Sequence, residues 1–158
     1  MKNGKQKLNA DIMWKGIIED LLNDFIAFFL PDLFPLVDFE KQYSFLDKEL
    51  LKLIPENFQK TKSVDKLIRV FLKNGREQWI LIHIEVQGYK ESEFARRMFD
   101  YFYRIFDKFN QKVISIAIFT DSDRNFKPEK YEYSFLQTEL VFKYRVCKIL
   151  DFNETELE

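Results

Sequence analysis

The sequence predicts an α/β domain with a mixed central sheet, and three observations predict it. Apolar residues recur at helical spacing near the start, two strand-like runs flank a turn in the middle, and a strand, a helix and a buried strand then follow with short links. At 158 residues the chain has the size of one domain, and 46% hydrophobic content with 18 Phe is enough to fill a core. The domain is expected over residues 11–150. A polar, lysine-rich stretch at 1–10 reads as a flexible lead-in, and DFNETELE at 151–158 as an acidic tail that stops without a structural reason, as in a domain cut from a longer chain.

From Asp11 onward, Trp14, Ile17, Ile18, Leu21, Leu22, Phe25, Phe28 and Phe29 keep helical spacing until PDLFP ends the pattern, so one helix is expected there. Val37 to Leu46 is mixed and reads as a strand, and Asp47 to Pro55 as a brief helical turn or a loop. Ser63 to Leu72 and Trp79 to Gln87 read as strands joined by a turn centred on Asn74-Gly75, which makes a hairpin. A helix from about Glu93 to Phe109 follows, with Phe94, Met98, Tyr101, Ile105 and Phe109 on one face and Ser92 as its expected N-cap. The unbroken apolar run VISIAIFT, Val113 to Thr120, marks a strand covered on both faces. Tyr131 to Ile149 alternates, with Leu140, Phe142, Tyr144 and Val146 on one side, and reads as one or two further strands.

Composition excludes several function classes. A net charge of −1 removes the simplest nucleic-acid signal, so any DNA contact would need a local patch or bound metal ions. The single cysteine, Cys147, cannot form an internal disulfide, and no charged-then-apolar leader is present, so a cytoplasmic setting is expected. Phe25 to Leu36 is interrupted by Pro31, Asp32 and Pro35 and falls short of the roughly 20 residues that span a bilayer, so no membrane association is expected. One histidine and one cysteine argue against a zinc site, and a Ser/His/Asp triad would have to run through His83. Any bound metal would be held by carboxylates, which selects a hard ion, Mg²⁺ or Mn²⁺. Asp121, Asp123, Asn125 and Glu132 have calcium-loop spacing, but Phe126 stands where the turn needs glycine and the segment follows a strand, so no calcium site is expected.

The informative stretch is ILIHIEVQG, Ile80 to Gly88. Side chains alternate along a strand, so His83, Glu85 and Gln87 project together while Ile82, Ile84 and Val86 point the other way. A polar row in an apolar sheet costs a few kcal/mol per unpaired group, so hydrogen bonds, a wet cleft or a cation must balance it. On the preceding strand, Asp65 in SVDKLIRV is a lone acid among apolar neighbours. A two-residue Asn74-Gly75 turn would put Asp65 on the face opposite Glu85, whereas an odd-length loop or a bulge would bring them together. Two carboxylates so placed repel unless a cation sits between them, which is the reason to expect Mg²⁺.

The run VDKLIRVFLKNGREQWILIHIEVQG, followed by EFARRMFDYFYRIFDKF and VISIAIFTD, resembles the recombination-promoting nuclease (Rpn) family, also called putative transposases, of the PD-(D/E)XK superfamily. The resemblance covers most of the chain, from WKGIIEDLL through FLDKEL to KYRVCKIL. It implies a restriction-endonuclease-like core, α-β-β-β-α-β, with a mixed central sheet flanked by helices and extra C-terminal strands. It implies that Asp65 and Glu85 hold the divalent metal, that Gln87 stands where the superfamily name has lysine, and that Glu19 in GIIEDLL adds an acid to the site. An amide can only orient water or phosphate by hydrogen bonds, which leaves proton removal to the metal or to a substrate phosphate oxygen. His83 reads as a structural residue before a catalytic one. On the later helix Arg97, Tyr101, Arg104 and Lys108 form a cationic stripe, read either as phosphate contacts or as a solvated face paired with Glu93 and Asp100.

The leading expectation is therefore a Mg²⁺-dependent (or Mn²⁺-dependent) DNA endonuclease with Asp65, Glu85, Gln87 and Glu19 in its site and Arg97, Tyr101 and Arg104 on substrate phosphate. The alternative is a nuclease fold that binds nucleic acid or a protein partner without cutting. A third reading, an assembly module, requires the aromatic tail strands to form an apolar interface, seen as a stable homodimer.

Overall fold

In the computed structural model, which describes residues 2–55, 64–74 and 78–152 and all side chains there except those of residues 2–9 and 64, two helices open the chain. These are α1, Lys2–Asp20, and α2, Leu22–Phe29. The single helix expected from Asp11 thus begins at Lys2, so the segment read as a lead-in is helical from residue 2, and it bends at Leu21 (φ −123°, ψ 39°). Backbone bonds from Leu21 N–H to the Ile17 carbonyl and from Phe25 N–H to the Leu21 carbonyl span the bend. Ile18, Leu22, Phe25 and Ile26 are buried in one cluster while Leu21 is half exposed. No proline or glycine marks Leu21, and the apolar spacing runs straight through it.

Val37 to Leu46, expected as a strand, forms only β1, Ser44–Phe45, and an isolated bridge from Val37 to Leu72. Asp47–Leu53 is α3, the helical option for that stretch. The hairpin strands are β2, Val64–Phe71, and β3, Trp79–Gln87, and Leu72 N–H donates to the Gln78 carbonyl beyond them. The expected Asn74-Gly75 turn lies partly outside the described residues. Helix α4 spans Phe94–Phe109, with Glu93 rather than Ser92 at the N-cap and no side-chain cap bond. It ends at Asn110, whose φ of 47° is the left-handed stop that asparagine tolerates. Val113–Phe119 is β4, and its last five residues are buried, as expected of a strand covered on both faces.

The tail holds three strands instead of one or two: β5, Lys130–Phe135; β6, Thr138–Lys143; and β7, Arg145–Lys148. Leu136 makes the missed turn at φ 54°, a conformation that a leucine in an alternating run does not announce. The alternation through Leu140, Phe142, Tyr144 and Val146 also spans two strands, because Tyr144 separates β6 from β7 and its hydroxyl donates to the Pro128 carbonyl at 2.6 Å.

The result is an α/β fold on a mixed sheet ordered β1-β2-β3-β4-β7, with β5-β6 as a separate two-stranded ribbon. The first three strands pair antiparallel, and β3, β4 and β7 run parallel. One face, bearing Ile68, Val70, Ile82, Ile84, Ile116 and Ile118, packs under α1 and α2. The other carries two smaller clusters, one joining α4 to the ribbon through Phe94, Met98, Phe119 and Phe142, the other joining α3 and α4 through Leu50, Leu67, Leu81, Tyr101 and Ile105. The polar row of β3 lies on that second face. Ile82 is fully buried at the centre of the first face. Ile82→Ala should lower the unfolding free energy by about 2–5 kcal/mol in a urea titration, and a loss under about 1 kcal/mol would contradict this packing.

Candidate functional site

The register of β2 on β3 builds the site. Asp65 pairs with Glu85, Leu67 with His83, and Phe71 with Trp79, so opposing residues have an even index sum and Asp65 shares a face with Glu85. On the parallel side, Glu85 lies beside Ala117 and Gln87 beside Phe119. Asp65 is near the start of β2 and Gln87 ends β3, so the acids sit at the carboxyl end of the parallel strands, where open α/β sheets place ligands. Glu85, Gln87 and His83 are fully buried, and Asp65 is partly exposed.

Helix α4 lays its first turns over this row. Arg97, 2% exposed, donates through Nη2 to Gln87 Oε1 at 2.9 Å and through Nη1 to Glu91 Oε2. Gln87 Nε2 donates to the Tyr89 carbonyl at 2.9 Å and reaches Glu91 Oε2 at 3.3 Å. Burial works against the charge of Arg97, but the carboxylates of Glu85 and Glu91 outweigh it and hold the guanidinium firmly protonated. Tyr101 is buried one turn further on, its ring edge-on to His83 at 5.3 Å. Arg97 is thus the counter-charge to a buried glutamate, and Gln87 is held on both sides of its amide.

His83 is neutral here. Its Nε2 lies 3.6 Å from Glu85 Oε1, neither ring nitrogen has a hydrogen-bond partner, and desolvation pulls its pKa down to about 4, with Asp65 opposing and Arg97 reinforcing the shift. It therefore adds no positive charge to the site at neutral pH.

The other residues singled out from the sequence go elsewhere. Lys66 follows Asp65 and so points to the opposite face, where its buried Nζ donates to Glu19 on α1 and, at 2.7 Å, to Asp47 Oδ2 at the start of α3. Asp47 Oδ1 also accepts from Leu67 N–H at 3.1 Å. Glu19 is therefore engaged by Lys66, across the sheet from the Asp65–Glu85 pair. Arg104 donates to the Leu53 carbonyl at the end of α3 at 3.2 Å, and Lys108 is exposed in the last turn of α4. Asp100 pairs with Arg96, not with the stripe residues, at 3.1 Å. Asp121, from the calcium-like spacing, accepts from the buried Lys148.

Sequence reasoning missed Glu91, which touches both Arg97 and Gln87. Its signal was slight: an acid in the short link between a strand ending in E-x-Q and a helix whose first turns carry arginine. As a donor set, Asp65 and Glu85 offer carboxylate oxygens from adjacent strands, and no group of three or more His, Cys, Asp or Glu gathers around a metal position among the described residues. Two carboxylates with the rest left to water and substrate oxygens is how Mg²⁺ is commonly held, so these residues fit a hard ion.

The low pKa of His83 sets a stability window. As pH falls below 6.5 the unfolded chain takes up a proton at His83 that the folded chain refuses until about pH 4, so stability drops across that interval. Thermal melts of the parent and of His83→Gln from pH 7 to pH 4 should show a shallower decline for the variant. Parallel declines would contradict the burial of a neutral ring.

No described helix is long and apolar enough to cross a membrane. Comparison with curated proteins and with solved structures gives no match. A family model described as putative transposase, YhgA-like, matches residues 13–118, a span that holds α2, the β2–β3 hairpin, α4 and most of β4. The chain therefore belongs to the YhgA-like putative transposase family.

Proposed function

We propose that the chain is a divalent-metal-dependent DNA endonuclease that hydrolyses phosphodiester bonds on a restriction-endonuclease-like core. The observation that carries this reading is the pairing of Asp65 with Glu85 on one face at the carboxyl end of the sheet, beside a buried arginine. Membership of a transposase family supports DNA as the substrate.

A bound Mg²⁺ or Mn²⁺ would acidify a water and offset the negative charge of the phosphate. The chain's own residues divide the remaining work. Asp65 and Glu85 would hold the ion from two strands, and Arg97 would present a guanidinium to a phosphate oxygen, with Tyr101 packed one turn behind it. Gln87 accepts from Arg97 at its amide oxygen and so orients that guanidinium, while its amide nitrogen, bonded to the Tyr89 carbonyl, also reaches the anion position that Glu91 holds and takes up no proton there. His83, neutral and inside the sheet, is placed to pack against Tyr101 and to confine the Glu85 side chain, not to serve as a base for solvent. Glu19 acts at one remove, through the Lys66 contact that positions β2 next to Asp65.

A plasmid-nicking assay with and without Mg²⁺ tests the reading. Asp65→Asn and Glu85→Gln should each lower the rate by roughly 100-fold or more while leaving the circular dichroism spectrum of the fold intact. If the parent fails to nick in either Mg²⁺ or Mn²⁺, the chain is instead a non-catalytic nuclease-fold module; if both variants cut as fast as the parent, Asp65 and Glu85 are not the residues that carry cleavage.

A further inference from the structure

We propose that the Glu91 carboxylate is a resident stand-in for substrate phosphate: it occupies the anion position on Arg97 and Gln87 and must be displaced when a DNA strand enters. The inference rests on the nuclease reading and adds a gate to the same site.

Three features point to it. First, Glu91 is bound as a phosphate oxygen would be, by the Arg97 guanidinium and at 3.3 Å by the Gln87 amide, the two groups in the site that suit a substrate anion. Carboxylate and phosphate compete for arginine with the same charge-assisted geometry. Second, Arg97 is 2% exposed, yet its Nε is buried without a hydrogen-bond partner, so the guanidinium has donor capacity that Glu91 does not use. Third, Glu91 is the outermost member of the trio. Its side chain is 25% exposed, it belongs to the irregular link between β3 and α4, and it lines a cleft of about 340 Å³ against the β4–β5 loop. Lys90 and Lys127 line the same cleft and pair with Asp123 and Asp151. Glu91 thus separates Arg97 from the solvent-filled cleft, and rotating one side chain opens the path.

The test is binding of a fluorescein-labelled DNA duplex by the full chain in EDTA, read by anisotropy, so that no cleavage intervenes. Glu91→Gln and Glu91→Asp should each tighten binding by about tenfold, because the competent fraction of the site rises. The aspartate variant keeps the net charge and is one methylene too short to hold Arg97, so it carries the decision alone if the glutamine variant fails to fold. The gain should vanish when either change is combined with Arg97→Ala, and Glu93→Gln, which removes a neighbouring exposed charge, should leave affinity within about twofold of the parent. Binding no tighter than the parent in both Glu91 variants overturns the gate, as does a gain that survives Arg97→Ala or is matched by Glu93→Gln. A chain that shows the Glu91 effect but nicks nothing in Mg²⁺ contradicts only the hydrolytic reading, and a chain that nicks without the effect contradicts only the gate.

Discussion

The even register between β2 and β3 is the constraint on which the site depends, because a slip of one residue would send every β2 side chain to the other face. Asp65 would then face α1 and α2, and Lys66 would lie among Glu85, His83 and Arg97. The observed register is held from the opposite side. The buried Lys66 ammonium binds Glu19 on α1 and Asp47 on α3, so two helices fix which way Lys66 points, and Asp47 also takes the Leu67 N–H. Fixing Lys66 on one face fixes Asp65 on the other. An ion cluster outside the candidate site thereby supports, together with the buried Ile68 and Val70 on the same face, the register on which that site depends.

Electrostatics complete what register begins. A fully buried glutamate is costly without a counter-charge, and here a nearly buried arginine supplies it from a different element. The one histidine cannot help, since burial keeps it neutral. The sheet face therefore sets two acids, Asp65 and Glu85, beside the Arg97 guanidinium, the division that the proposed metal ion and phosphate would require. The two apolar clusters on either side of the row keep α4 seated over it.

Much of this was legible in the sequence because it is periodic. The 2-residue alternation of ILIHIEVQG placed His83, Glu85 and Gln87 on one face, and the helical spacing after Glu93 put Arg97 and Tyr101 on one stripe without deciding whether it met that row or faced solvent. Whether Asp65 joined them could not be read, because loop parity is a property of the closed hairpin and not of Asn74-Gly75 alone. Glu19 and Arg104 showed the opposite limit. Each carried the right charge on an apparently suitable helix, but each found a nearer partner, the Lys66 ammonium and the Leu53 carbonyl, that no spacing rule reveals. The bend at Leu21 and the turn at Leu136 were silent for a related reason: neither uses the proline, glycine or asparagine by which turns announce themselves.

The central claim is that two carboxylates on neighbouring strands grip one divalent ion. Titration of Mn²⁺ into the chain, followed by the loss of the free-ion paramagnetic resonance signal, reads that grip without DNA or turnover. The account predicts saturable uptake by the parent at submillimolar to millimolar Mn²⁺ that Mg²⁺ competes away and that either Asp65→Asn or Glu85→Gln abolishes. Uptake unchanged in both variants, or none in the parent, would contradict it.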